Sequence, residues 1–198
     1  TDIKYHPDIR TGKSEAKAIE NIGELVKTIN MPGYIVHLSS KEGLEVLRQK
    51  QKDGANLRAE TTPHYLLLNR EYLNRDDGYL YFMTPPLRTK EDNERLWEGL
   101  VNNDIEVVAT DHCAFDIAQK KMGDDTFNTL PGIPGSETLF PLIQHFGTKR
   151  GLDLVDIVNK LSTNPAKIFG LYPKKGSLKE NTDADLVIFD PEKTRKLE

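Results

Sequence analysis

The chain has 198 residues, 37% of them apolar and 29% charged, a balance that supports one packed domain and excludes a disordered segment. A formal net charge of −4, with lysines scattered among acids, excludes a basic face for nucleic acid. No apolar run approaches the roughly 18 residues that a membrane span needs, and the single Cys113 excludes an internal disulfide and fits a reducing, cytoplasmic setting.

Residues 14–30 carry Ala18, Ile19, Ile22, Leu25, Val26 and Ile29 at spacings of three and four. That period predicts an amphipathic helix with Ser14 as N-cap and Pro32 beyond its end. YIVHLSS (34–40) is short, apolar, and β-branched or aromatic in type, which suits a strand buried on both faces. Ser40 opens a second helix with Leu44 and Leu47 on its apolar face, closed by Asp53-Gly54. Strand-like LRAETT (57–62) and YLYFMTPP (79–86) follow, then a helix over 91–103 and strand-like IEVVAT (105–110). Strands alternating with helices are what parallel pairing requires, so the expected fold class is α/β. Residues 116–136 are rich in Gly, Pro and Asp without periodicity and read as a long loop, a feature that tends to carry function. Helical patterns resume over 137–151, 154–162 and 165–170, and DADLVIFDP (183–191) reads as a last strand. TDIKYHPDIR at the N-terminus lacks the apolar stretch of a secretory signal, and Leu197-Glu198 reads as a cloning remnant.

His37, Thr84 and the Asp111-His112 pair all fall at or just past the C-terminal ends of presumed parallel strands, the end where active sites of parallel α/β folds are built. Each also has a plainer reading. A lone buried His is most often a hydrogen-bonded core residue, and Asp after a strand commonly makes an Asx turn or helix cap. Together an imidazole and a carboxylate suit zinc, although two ligands would hold a catalytic ion poorly. His64 in TTPHYLLL is a rival ligand, but Pro63 before it suggests a turn and a supporting role. A Cys113 thiol with His112 as its base is disfavoured, because adjacent residues leaving a strand point in opposite directions. His6 and His145 have no site-like neighbourhood.

YIVHLSSKEGLEVL, AETTPHYLLL, MTPPLRTKEDNERLWEGL, EVVATDHCAF, LPGIPGSETLFPLI, LSTNPAKIFGLYPKKGSL and DADLVIFDP, in that order, resemble the C-terminal half of the cyclic amidohydrolases. That group includes dihydropyrimidinases, hydantoinases, allantoinases and dihydroorotases. FDIAQKKMGDDTF followed by LPGIPG, and IFGLYPKKG, are most similar to the dihydropyrimidinase and hydantoinase branch. The resemblance implies a metal-dependent (β/α)8 TIM barrel with a small β-sandwich. Residues 1–181 would then be part of the barrel, with strands six to eight, and residues 182–198 the start of the returning sandwich.

The resemblance also implies roles. His37 is a metal ligand ending strand six; Asp111 ends strand eight as metal ligand and catalytic acid/base; Thr84 and Gly132 bind the substrate ring through main-chain groups. Hydantoinases usually carry Asn at the Gly132 position, a departure that bears on which ring is taken. His64 and His112 would lie behind the ligands. The cofactor implied is a pair of zinc ions bridged by a carboxylated Lys. That Lys, the family's His-x-His pair and its strand-five His are absent from these residues, so the chain resembles a fragment, inactive alone. The activity implied for the intact protein is opening of a dihydropyrimidine or hydantoin ring to an N-carbamoyl amino acid. Its partner is a small cyclic amide, and a homo-oligomer, often a tetramer, is usual in the group. The competing readings are a non-enzymatic dihydropyrimidinase-like scaffold, or allantoinase or dihydroorotase activity.

Overall fold

Thr11, rather than Ser14, starts the first long helix: its backbone is extended and its side-chain Oγ1 accepts the Ser14 N–H at 3.2 Å. In this computed structural model, which describes residues 2–123 and 125–194, a single turn α1 (His6–Ile9) precedes that helix, α2 (Gly12–Ile29). The helix forms as expected, but only part of its apolar stripe is buried: Ile19 and Val26 face inward with Gly23, whereas Ile22, Leu25 and Ile29 are exposed among the described residues. Asn30 then takes the left-handed conformation and turns the chain into β1 (Gly33–Ile35).

Ser40 caps α3 (Lys41–Lys52) by accepting the Gly43 N–H at 3.0 Å, and the helix ends at Asp53 as expected. β2 (Leu57–Thr61) leads into α4 (Pro63–Leu67). Thr89 and Asp92 form a reciprocal capping box at the start of α5 (Lys90–Val101). β3 (Val107–Val108) follows. Beyond it lie α6 (Ile117–Lys120), α7 (Leu139–Thr148), α8 (Leu154–Val158), a π-helical turn over Asn159–Thr163 and α9 (Asn164–Ile168).

The three strands pair in parallel in the order β1-β2-β3, with Gly33 opposite Leu57 and Thr61 opposite Val108. Leu57, Ala59 and Thr61 turn one face of β2 into a core of Leu38 beyond β1, Leu44 and Leu47 on α3, and Leu96, Trp97 and Leu100 on α5. Arg58 and Glu60 alternate onto the other face, which stays partly open. The expectation that the YIVHLSS strand is buried on both faces is corrected, since β1 is only half-buried along its length, whereas both residues of β3 are buried.

Two further strand assignments are corrected. Residues 78–81 of the YLYFMTPP region form a 3-10 turn, and the rest runs extended without pairing among the described residues. Both long edges of β2 are already taken, so the aromatic run packs by side chain instead, Tyr81 on Tyr72 and Phe82 on His6. DADLVIFDP forms no strand: Leu186, Val187 and Ile188 face solvent, and Phe189 alone of this apolar run makes a ring contact, with Phe140. A strand needs a neighbour to satisfy its backbone, and no partner for it occurs among the described residues. Residues 195–198, including the Leu-Glu end, lie outside them. Among the described residues, no helix is long and apolar enough to cross a membrane.

Within the described residues β1 and β3 each pair on one side only, and Val36 beside the β1 edge is 49% exposed. Unpaired edges next to apolar side chains template association. The purified 198-residue chain is expected to self-associate with rising concentration, and Val36→Lys to shift it toward monomer. Light scattering coupled to size exclusion measures this, and a monodisperse unmodified monomer at high concentration would contradict it.

Candidate active site

β1 stops at Ile35, but the segment beyond it stays tied to β2: Leu38 N–H donates to the Glu60 carbonyl, and Thr61 Oγ1 donates to the Leu38 carbonyl, both at 2.8 Å. The chain turns between these anchors at His37, whose φ is +43°. On the other side of β2, Ala109 N–H donates to the Thr61 carbonyl at 3.0 Å, and the chain turns at Asp111, φ +44°. The other described non-glycine residues with positive φ are Asn30, Asn103 and Asn181. Asn visits this region cheaply in turns, whereas strained residues gather at functional sites. The carboxyl ends of β1 and β3 thus present an imidazole and a carboxylate on left-handed turns flanking β2.

The turn after His37 is held by Glu15 of α2. Its carboxylate accepts from Ser39 N–H at 3.0 Å, Ser39 Oγ at 2.7 Å and Ser40 N–H at 2.8 Å, and also from Ser40 Oγ. Arg88, itself buried, donates Nε to Ser39 Oγ at 3.1 Å and NH1 to the Arg10 carbonyl. His37 and Thr84 line an open groove of about 370 Å3 with Glu15, Arg88 and Tyr34, bordered by the free edge of β1. Asp111, His64, His112 and Gly132 lie outside that groove.

Four of the five histidines have ring partners. His64 is buried, with Nδ1 3.3 Å from Thr62 Oγ1 and a hydrogen bond to the Pro134 carbonyl. Burial pushes its pKa down, opposed by that carbonyl and by the negative charge of Asp111. His112 Nδ1 accepts the Gly135 and Ser136 amides at 3.0 and 3.2 Å, which puts its ring proton on Nε2 and docks the 131–136 loop. His145 bonds Lys149. His6, expected to lack any site-like neighbourhood, is buried against Phe82 with Nε2 3.2 Å from Thr84 Oγ1, a correction that no local pattern around His6 signalled. Among the described residues, His37 has no ring hydrogen bond and the Asp111 carboxylate has none, so the core-histidine and Asx-turn readings both fail. Cys113 Sγ points to the Pro131 carbonyl at 3.7 Å while the His112 ring is engaged elsewhere, so the two do not form a nucleophile pair.

The candidate ring contacts differ. Thr84 is exposed, and neither its main-chain N–H nor its C=O is hydrogen-bonded among the described residues. Gly132, at φ +142°, is the only residue type that fits, since a Cβ would lie 2.4 Å from Cys113 Cβ. Its N–H already donates to the Phe82 carbonyl at 2.9 Å, and its C=O accepts from Lys120 Nζ at 2.7 Å. Glu15, Arg88 and Lys120 were not marked by sequence reasoning, and in each case the partner is remote along the chain. No three His, Cys, Asp or Glu side chains come together as a metal set among the described residues.

Residues 13–198 match the family model described as "Amidohydrolase family". The chain belongs to the amidohydrolase family. It is 36% identical over 201 residues to a D-hydantoinase of Streptomyces coelicolor, covering 96% of this chain and 42% of that protein. With a D-phenylhydantoinase of Escherichia coli it shares 37% identity over 202 residues, 100% of this chain and 44% of the relative. The D-hydantoinase structure from Bacillus sp. AR9 superposes with a TM-score of 0.95 at 34% identity, over 100% of this chain and 44% of that one. The dihydropyrimidinase structure from Brevibacillus agri gives 0.90 at 32% identity, over 93% and 41%. The chain therefore spans less than half the length of these relatives, and its parallel sheet and helices are part of a TIM-barrel-type α/β fold.

Proposed function

We propose that this amidohydrolase chain, joined to the remaining barrel units that its relatives carry, opens the cyclic amide of a hydantoin or dihydropyrimidine ring to an N-carbamoyl amino acid. The observation that carries the reading is the pair His37 and Asp111, on left-handed turns at the carboxyl ends of parallel strands, with side chains that no other described group claims. The names of the relatives support the ring chemistry.

Imidazole nitrogen and carboxylate oxygen are the donor types zinc prefers, so the residues fit the metal in kind, while further ligands are to be sought beyond the described residues. In the proposed site His37 and Asp111 would hold zinc together with further ligands, among them a carboxylated lysine, and the metal would supply Lewis acidity toward water and the ring carbonyl. Asp111 takes the proton of the attacking water and returns it to the leaving ring nitrogen, work that needs a carboxylate with its lone pairs uncommitted. Thr84 can hold the ring by donating its N–H and accepting at its C=O, which matches the alternating donors and acceptors of a cyclic imide. Gly132 has given away its N–H, so its contact is confined to the free lone pair of the carbonyl. His64 carries Asp111's field, and His112 fixes the loop that contains Gly132.

The alternative, a non-catalytic scaffold of the same fold, is disfavoured by the uncommitted His37 and Asp111. Full-length protein is expected to contain zinc by elemental analysis and to release N-carbamoyl products from hydantoin and 5,6-dihydrouracil. A zinc-loaded protein that opens neither ring, nor allantoin or dihydroorotate, supports the scaffold instead.

A further inference from the structure

Lys120 is one of two lysines, with Lys160, whose side chains are almost fully buried among the described residues. It ends α6, inside the stretch that composition marks only as loop, and is 3% exposed. A buried ammonium is costly unless its protons are taken up, and no carboxylate among the described residues pairs with it. Two protons go instead to main-chain carbonyls, Phe82 at 2.9 Å and Gly132 at 2.7 Å. The Phe82 carbonyl accepts a second bond, from the Gly132 N–H, also at 2.9 Å.

These three bonds close a small ring between two segments far apart in sequence. One runs from Phe82 to Thr84 and the other is the loop at Gly132, the two segments that the proposed function nominates for main-chain contact with the substrate. Gly132 has no room to shift toward Cys113, and its left-handed φ leaves the loop dependent on outside bonds for its position. A charged donor makes stronger bonds than a neutral one and has been placed where an apolar side chain would otherwise fill the space.

We propose that Lys120 is a positioning residue for ring binding: its ammonium clasps the Phe82 and Gly132 carbonyls together and so sets the spacing of the Thr84 and Gly132 main-chain groups that grip the substrate. The inference rests on the ring-opening reading above. Burial brings the Lys120 pKa down to about 8, and among the described residues the field of Cys113 counters this. The clasp therefore weakens as pH rises through that value and the ammonium loses its charge.

The test uses full-length protein with 5,6-dihydrouracil. Lys120→Met is expected to raise KM about tenfold with kcat within about threefold and zinc content unchanged, a pure loss of ground-state and transition-state binding alike. Lys120→Arg, which keeps the charge and donors, restores most of the KM. A wild-type KM in Lys120→Met, or a fall confined to kcat with loss of zinc, would overturn the proposal. Should Lys120→Met not fold, the unsubstituted protein and Cys113→Ser still decide: KM climbs as pH rises through about 8 in both and stays flat in Lys120→Arg. A KM that does not respond to pH in the unsubstituted protein overturns the clasp. Amide exchange at Gly132, expected to quicken at least about tenfold in Lys120→Met, reads the clasp without catalysis. Protein that opens no ring overturns the functional reading and the positioning role with it; slow exchange at Gly132 in Lys120→Met overturns the clasp alone.

Discussion

Asp111→Asn in the full-length protein is expected to reduce ring opening by at least about a thousandfold, within the range that loss of a positioned acid/base produces. The substitution separates chemistry from backbone strain. Asn tolerates the left-handed region as readily as Asp, so the turn after β3 persists, while the negative charge and the proton acceptor vanish. Thermal stability of the zinc-free protein should stay equal or rise, because the carboxylate makes no hydrogen bond among the described residues that folding would lose. His37→Asn follows the same logic on the other turn, φ +43°, and is expected to lower zinc content as well as rate. Steady-state rates, elemental zinc and melting temperature on the three proteins check this together. Less than a tenfold fall in rate for Asp111→Asn would remove Asp111 from the chemistry, and a stability loss of several kcal/mol would show that the turn, rather than the side chain, is what Asp111 serves.

Legibility in the sequence tracked how local the determining interaction is. α2, α3 and α5 declare themselves by period and caps within one segment, and their ends fall within three residues of expectation. The strands are shorter than their apolar runs suggest, because pairing depends on a neighbour elsewhere in the chain. YLYFMTPP has strand composition, yet its aromatic side chains pack against Tyr72 and His6, and both edges of the central strand β2 are already paired. His37 and Asp111 were legible from their place after strand-like runs, but nothing local announces that both turn through positive φ. Glu15 with Ser39 and Ser40, His6 with Thr84, and Lys120 with Phe82 span 24 to 78 residues of sequence, and each joins residues of unremarkable local type. The supports of the site are therefore less visible than the groups they support.

Glu15 is where such a support should matter most for folding. Ser39 and Ser40 are fully buried, and one carboxylate takes both of their amides and both hydroxyls. Each buried donor left unpaired costs roughly 1–3 kcal/mol, so Glu15→Ala, which strands four of them, is expected to destabilise the protein by about 4 kcal/mol after partial relaxation. Glu15→Gln should recover little of this, since its amide nitrogen brings two donors against a cluster that needs acceptors. Glu15→Asp shortens the reach by one methylene and should fall between. The consequence for the site follows from position: Ser39 is two residues beyond His37, and its bonds to Glu15 and Arg88 fix the chain that must turn there. Urea denaturation of full-length protein, with zinc content measured on the folded fraction, is expected to show Glu15→Ala losing stability and metal together. Full zinc occupancy alongside a loss of several kcal/mol would mean that β2, through Glu60 and Thr61, holds the His37 turn without help from α2.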